Sequence, residues 1–122
     1  MTNEKFCQTI ACTSAIKRDL VEKIRDVTAA LCRLDSDVIT PGEDTDKLSS
    51  RMGGWDELRF LMQLERILDV PLDGVQLPNF VLFRFFFFFK KAKPLNYGEW
   101  VTGVVEVLAP VVARNSRVNR IS

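Results

Sequence analysis

Apolar and polar positions recur with a helical rhythm in three parts of the chain. The clearest lies between residues 55 and 68, where Leu58, Leu61, Met62, Glu65 and Leu68 fall at i, i+3 and i+4 spacing. Trp55, Phe60, Leu64 and Ile67 widen this stripe, so the spacing predicts a helix that the rest of the fold surrounds. Gly53 and Gly54 allow a sharp backbone turn before it, and Asp56 and Glu57 bring negative charge to the first turn, where the helix dipole favours it. The helix is expected to stop near Asp69-Val70-Pro71, because proline disfavours helical geometry in the residue before it.

A second helix is predicted from about Ser14 to Leu34. Leu20, Ile24, Val27, Leu31 and Leu34 repeat at alternating steps of four and three, with Lys17, Asp19, Glu22, Lys23 and Arg25 between them. This seam fits packing inside the domain; a short coiled-coil homodimer is the alternative. A third helix begins with Asn96 as N-cap and Glu99 in capping-box position, with Leu95 and Trp100 placed as a hydrophobic staple. Its body is rich in valine, as strands are, but the caps and the spacing of Tyr97, Val101, Val104 and Leu108 favour a helix ending near Pro110. Residues 1–13 show no sustained period and are expected to be a loose lead-in. Residues 14–110 form the expected helical domain, and residues 111–122, with Arg114, Arg117 and Arg120, a frayed basic tail. The fold class is mainly α.

Two segments between the helices carry candidate chemistry. Residues 35–50 contain Pro41-Gly42 and the acids Asp35, Asp37, Glu43, Asp44 and Asp46. The alternating ligands and closing glutamate of a calcium loop are missing, so the loop reads as a solvated connection or as an acidic patch for a basic partner. Val38, Ile39 and Leu48 are expected to pin it to the core. The second segment, residues 79–91, includes five consecutive phenylalanines, Phe85 to Phe89. Side chains fan around a helix and alternate across a strand, so five rings cannot all face one core. An irregular insertion or short strand, mostly buried between helices, is expected, with Phe85 and Phe87 as candidate exposed contacts to a partner or a second copy; a membrane-surface contact aided by Lys90, Lys91 and Lys93 is the alternative. The flanking Arg84, Lys90, Lys91 and Lys93 read as gatekeepers against aggregation.

Composition narrows the function. With 17 basic and 16 acidic residues among 122, there is no overall field to hold nucleic acid. Histidine is absent, which removes the commonest general base and transition-metal ligand. Cys7, Cys12 and Cys32 are an odd, sparse set that reads as reduced thiols rather than a disulfide framework, and neither a metal nor a cofactor is expected. The first ten residues lack the apolar segment of a secretory signal, and the longest apolar run, residues 80–89, is too short for a bilayer span. A cytoplasmic protein without stable membrane insertion is the expectation.

The order helix, acidic loop, central helix, irregular segment and capped last helix resembles the acyl carrier protein fold. The likeness is most specific over residues 53–72 and 95–108. Carriers read Leu-Glu before a short exit from the central helix, much as Leu64-Glu65 precedes Val70-Pro71-Leu72, and Asn96-Tyr97-Gly98-Glu99 is similar to the start of their last helix. The phenylalanine insertion is foreign to ordinary carriers, but the chain is similar to a bacterial family of uncharacterised acyl-carrier-like small proteins. Carriers open the central helix with Asp-Ser-Leu, whose serine bears phosphopantetheine. With carrier spacing that serine position falls on Gly54 and the aspartate on Gly53, while Ser49 and Ser50 lie too early, in the loop. The resemblance therefore implies a carrier-like helical bundle without carrier chemistry. Arg59 and Arg66 also interrupt the acidic face that carriers present to their enzymes.

These readings converge on a non-catalytic domain that binds another protein, through Asp37, Glu43, Asp44, Asp46, Arg59, Phe85 and Phe87. The alternative is a bacterial immunity or antitoxin protein that covers a toxin. Binding of an acyl chain or lipid stays open. No nucleophile beside a base and no phosphate-cradling loop points to an enzyme.

Overall fold

The computed structural model describes residues 1–12, 14–80 and 96–121, with side chains to residue 115. It is mainly α, a small helical bundle: α1 (Asn3–Thr9), α2 (Ala15–Cys32), α3 (Thr45–Arg51), α4 (Glu57–Leu68) and α5 (Tyr97–Ile121), with a 3-10 turn at Ser36–Val38.

The element that the others surround is α2 rather than α4. It packs against α1, α3, α4, α5 and the 3-10 turn. Its seam is as the spacing predicts, since Leu20, Ile24, Val27 and Leu31 are buried, but Val21, Arg25, Thr28, Ala29 and Cys32 are buried too. Such a wide buried face suits a helix with neighbours on several sides. Ser14 caps its start through the Lys17 N–H. Its end turns on Arg33 in the left-handed region, with the Leu34 N–H returning to the Ala29 carbonyl at 3.0 Å.

Residues 1–12 differ from the loose lead-in expected of them. Thr2 caps α1, and Phe6 is wholly buried, meeting Tyr97 edge to face with centroids 5.8 Å apart. One turn of apolar burial is too short to register as a period in sequence. Beside Phe6 lies the buried Arg25 guanidinium, 4.7 Å from the ring centroid. It donates to the carbonyls of Met1, Ser36 and Ile39 and to Asn3 Oδ1, so one side chain joins α1, α2 and the 3-10 turn.

The last helix also runs further than expected. Asn96 and Glu99 form the capping pair, with the Glu99 N–H donating to Asn96 Oδ1 at 2.8 Å and Asn96 Nδ2 donating to Glu99 Oε1 at 3.0 Å. Tyr97, Val101, Val104 and Leu108 are all wholly buried. Pro110 costs one intrahelical bond without ending the helix, which continues to Ile121 in place of the frayed tail.

Residues 35–50 are more ordered than a solvated loop. Asp35 caps the 3-10 turn and Asp44 caps α3, each accepting the N–H two residues on. Ile39 and Leu48 do anchor the segment, but Val38 is 55% exposed. The segment is fastened to the start of α5, where the Tyr97 and Gly98 N–H groups donate to the Glu43 and Pro41 carbonyls, both at 2.8 Å.

Candidate functional site

The glycine pair closes α3 instead of opening α4. The Gly54 N–H donates to the Ser49 carbonyl at 2.9 Å and the Gly53 N–H to the Ser50 carbonyl at 3.2 Å, with φ of 111° and 79°. This is the double return bond that ends a helix on a left-handed residue. Ser49 and Ser50 therefore belong to α3 and not to a loop. The start of α4 is set by Asp56, which accepts the Arg59 N–H at 3.2 Å.

The buried face of α4 is rotated from the one its spacing predicts. Phe60 and Leu64 are wholly buried, whereas Leu58 is 68% and Met62 59% exposed. Aromatic stacking explains the rotation. Trp55 lies parallel to Phe80 at 4.4 Å, and Trp100 meets Trp55, Phe60 and Phe80 edge to face at 4.8 to 5.4 Å. Burying these rings outweighs burying Leu58 and Met62. Glu65, placed in the apolar stripe by spacing, instead accepts the Leu72 N–H at 2.8 Å, and Glu57 accepts that of Leu77 at 2.8 Å. The two carboxylates tie the segment after α4 back along the helix.

α4 leaves Leu58 and Met62 exposed, one turn apart with the exposed Arg59 and Arg66 along one side, and Ile67, 44% exposed, on the opposite side of the helix. This face offers an apolar contact with one cationic edge. Of the other sequence candidates, Asp37 and Asp46 are exposed, while Glu43 and Asp44 are half-buried and engaged in holding the segment to α5 and capping α3. Phe85 and Phe87, the expected short strand and the Leu95 staple lie outside the described residues. Phe80, at the head of the phenylalanine segment, belongs to the core.

Comparison with protein-family models, curated proteins and solved structures finds no match to the chain.

Sequence reasoning missed Leu58 and Met62 as surface residues. The signal was available: a stripe centred on Leu58 and Met62 carries Glu65 within it, whereas one centred on Phe60 and Leu64 moves that acid to the rim. Among the described residues no group of three histidine, cysteine or acidic side chains is placed to hold a metal ion, and no helix is long and apolar enough to cross a membrane. Burial pushes the Cys32 thiol pKa up, and its thiol donates to the Leu48 carbonyl at 3.5 Å. The ion pair with Glu106, 2.9 Å away, raises that of Lys17.

Proposed function

We propose that this chain is a non-catalytic protein-binding domain with a carrier-like order of helices and no serine for phosphopantetheine. The observation that carries the reading is the exposed Leu58 and Met62 on α4 with Arg59 and Arg66 beside them. Two large apolar side chains on one helix face, kept out of an otherwise well-filled core, favour association. The arginines favour a partner surface whose apolar centre is edged by carboxylates. A second reading, an immunity or antitoxin protein, draws on Asp37 and Asp46, which are exposed and suit a basic toxin.

Affinity capture from the native cell tests the proposal when variants are run side by side. Leu58→Ser with Met62→Gln, and separately Arg59→Glu, are expected to lose a partner that Asp37→Asn with Asp46→Asn retains. The reverse pattern favours the immunity reading. Retention by every variant, with circular dichroism unchanged, overturns both surfaces.

A further inference from the structure

At the end of α1 the N–H of Cys12 donates to the Cys7 carbonyl at 2.9 Å and that of Ala11 to the Gln8 carbonyl at 3.3 Å, with Ala11 at φ 57°. This is again the double return bond at a helix end, and its geometry sets the side chain after the left-handed residue against the one five positions earlier. Here both of those side chains are thiols. They are near enough for Cys12 to act on the Cys7 thiol, and Cys7 and Cys12 are only 2% and 8% exposed.

We propose that Cys7 and Cys12 are an oxidation site, closing to a reversible intramolecular disulfide in exchange with a small disulfide such as oxidised glutathione. A disulfide requires Cα atoms about 4.4–6.8 Å apart and Cβ vectors that converge, and side chains already this near across a tight turn come close to meeting both needs. Access comes from two sides. Cys12 borders a depression with Ile10, Lys17, Val105 and Glu106, and Cys7 borders another with Asn3, Glu4, Arg18 and Glu22. Cys12, 8% exposed against 2% for Cys7, is the more accessible of the two, which makes it the attacking sulfur. Burial and the neighbouring Cys12 push the Cys7 thiol pKa up, which suits a resolving thiol that reacts because its target is adjacent.

The exchange balances in two steps. The Cys12 thiolate attacks one sulfur of oxidised glutathione, forming a mixed disulfide and releasing one glutathione thiolate. The Cys7 thiolate then attacks Cys12 Sγ, forming the bridge and releasing the second. Two cysteine thiols are oxidised, one glutathione disulfide is reduced to two thiols, and the two cysteine protons end on those thiols. Cys32 takes no part, being buried at the far end of α2 with its thiol on the Leu48 carbonyl.

The test equilibrates the full chain with mixtures of oxidised and reduced glutathione, followed by denaturing alkylation and tryptic mass mapping. Cleavage after Lys5 and Lys17 leaves both cysteines on the peptide from Phe6 to Lys17. That peptide is expected to lose two hydrogens and escape alkylation, while Cys32 is alkylated. Cys7→Ser is expected to keep one glutathione on Cys12, and Cys32→Ser to bridge like the wild type. The equilibrium constant for closure should be at least about tenfold larger in native buffer than in urea, because the fold holds the thiols together. Two free thiols at Cys7 and Cys12, a lasting glutathione adduct on the wild type, a bridge to Cys32, or equal constants in buffer and urea would each overturn the proposal.

Discussion

The Tyr97 hydroxyl on α5 donates to Thr28 Oγ1 on α2 at 2.7 Å, and Thr28 in turn donates to the Ile24 carbonyl at 2.8 Å. Both residues are wholly buried, so this is a polar link set inside the main apolar contact of the bundle. Tyr97→Phe removes one bond and leaves Thr28 its own donor interaction, for an expected loss of about 1 kcal/mol. Thr28→Val strands the buried phenol and should cost about 1–3 kcal/mol. The double variant should cost less than the sum, because no polar atom is then left without a partner; urea unfolding of all four proteins measures the difference.

The same phenol gives the fold an alkaline limit. Burial raises the Tyr97 pKa well above its ordinary value, although the Thr28 contact opposes the shift. The unfolded chain therefore ionises first, from about pH 10, and the contribution of Tyr97 is full below that pH and lost as pH rises toward the folded value. The raised Cys7 and Cys32 thiols act in the same direction, beginning at about pH 8.5. Unfolding free energy should fall gently above the lower value and steeply above the upper one, and Tyr97→Phe should remove only the steep part. Tyr97 is the sole tyrosine, so tyrosinate absorbance reads its titration directly.

Gly98→Ala is expected to destabilise despite placing a better helix former in α5. A Cβ at this position would lie 2.7 Å from Pro41 Cβ and 3.2 Å from the Pro41 backbone. Either α5 or the 41–44 segment must shift, at a cost of about 1–3 kcal/mol, against a helix-propensity gain of no more than about 1 kcal/mol. An increase in thermal midpoint would show that the two segments are not closely docked.

Arg25→Met should be among the most damaging single changes. It preserves much of the packing volume but withdraws donors from three carbonyls, for an expected loss of about 3 kcal/mol in urea unfolding. Arg25→Lys keeps the charge but not the planar fork, and should recover only part of the loss. Among the described residues no carboxylate pairs with Arg25, so raising salt should scarcely alter either result.

Co-expression with a promiscuous phosphopantetheinyl transferase should leave the intact mass unchanged. Gly54 lacks a hydroxyl, and its φ of 111° is one that a serine would hold only under strain. Gly54→Ser should therefore remain unloaded as well. A stoichiometric adduct on Ser49 or Ser50 of the wild type would overturn the alignment with carriers.

The elements that could be read in sequence were those whose pattern is long or locally punctuated. The seam of α2 repeats over four turns, and the Asn96 and Glu99 caps mark α5 within four residues. What escaped reading depended on partners distant in sequence. Nothing near Phe6 announces that Tyr97 and Arg25 will enclose it. The face that α4 buries was decided by Phe80 and Trp100, and within the helix only the place of Glu65 hinted that Leu58 and Met62 face outward. The glycine pair was recognised as a turn, but whether it ended α3 or began α4 depended on carbonyls that only the folded backbone identifies.

Because α2 meets so much of its apolar cover in α5, its timing on the ribosome is constrained. Leu20, Ile24 and Val27 are synthesised long before Val101, Val104 and Leu108, and the nascent chain must carry an uncovered seam until Leu108 has emerged. Domains assembled from such distant partners fold late and expose sticky surface meanwhile. Premature termination anywhere before residue 108 should thus yield a polypeptide destined for chaperones or proteases, with no smaller folded product to accumulate.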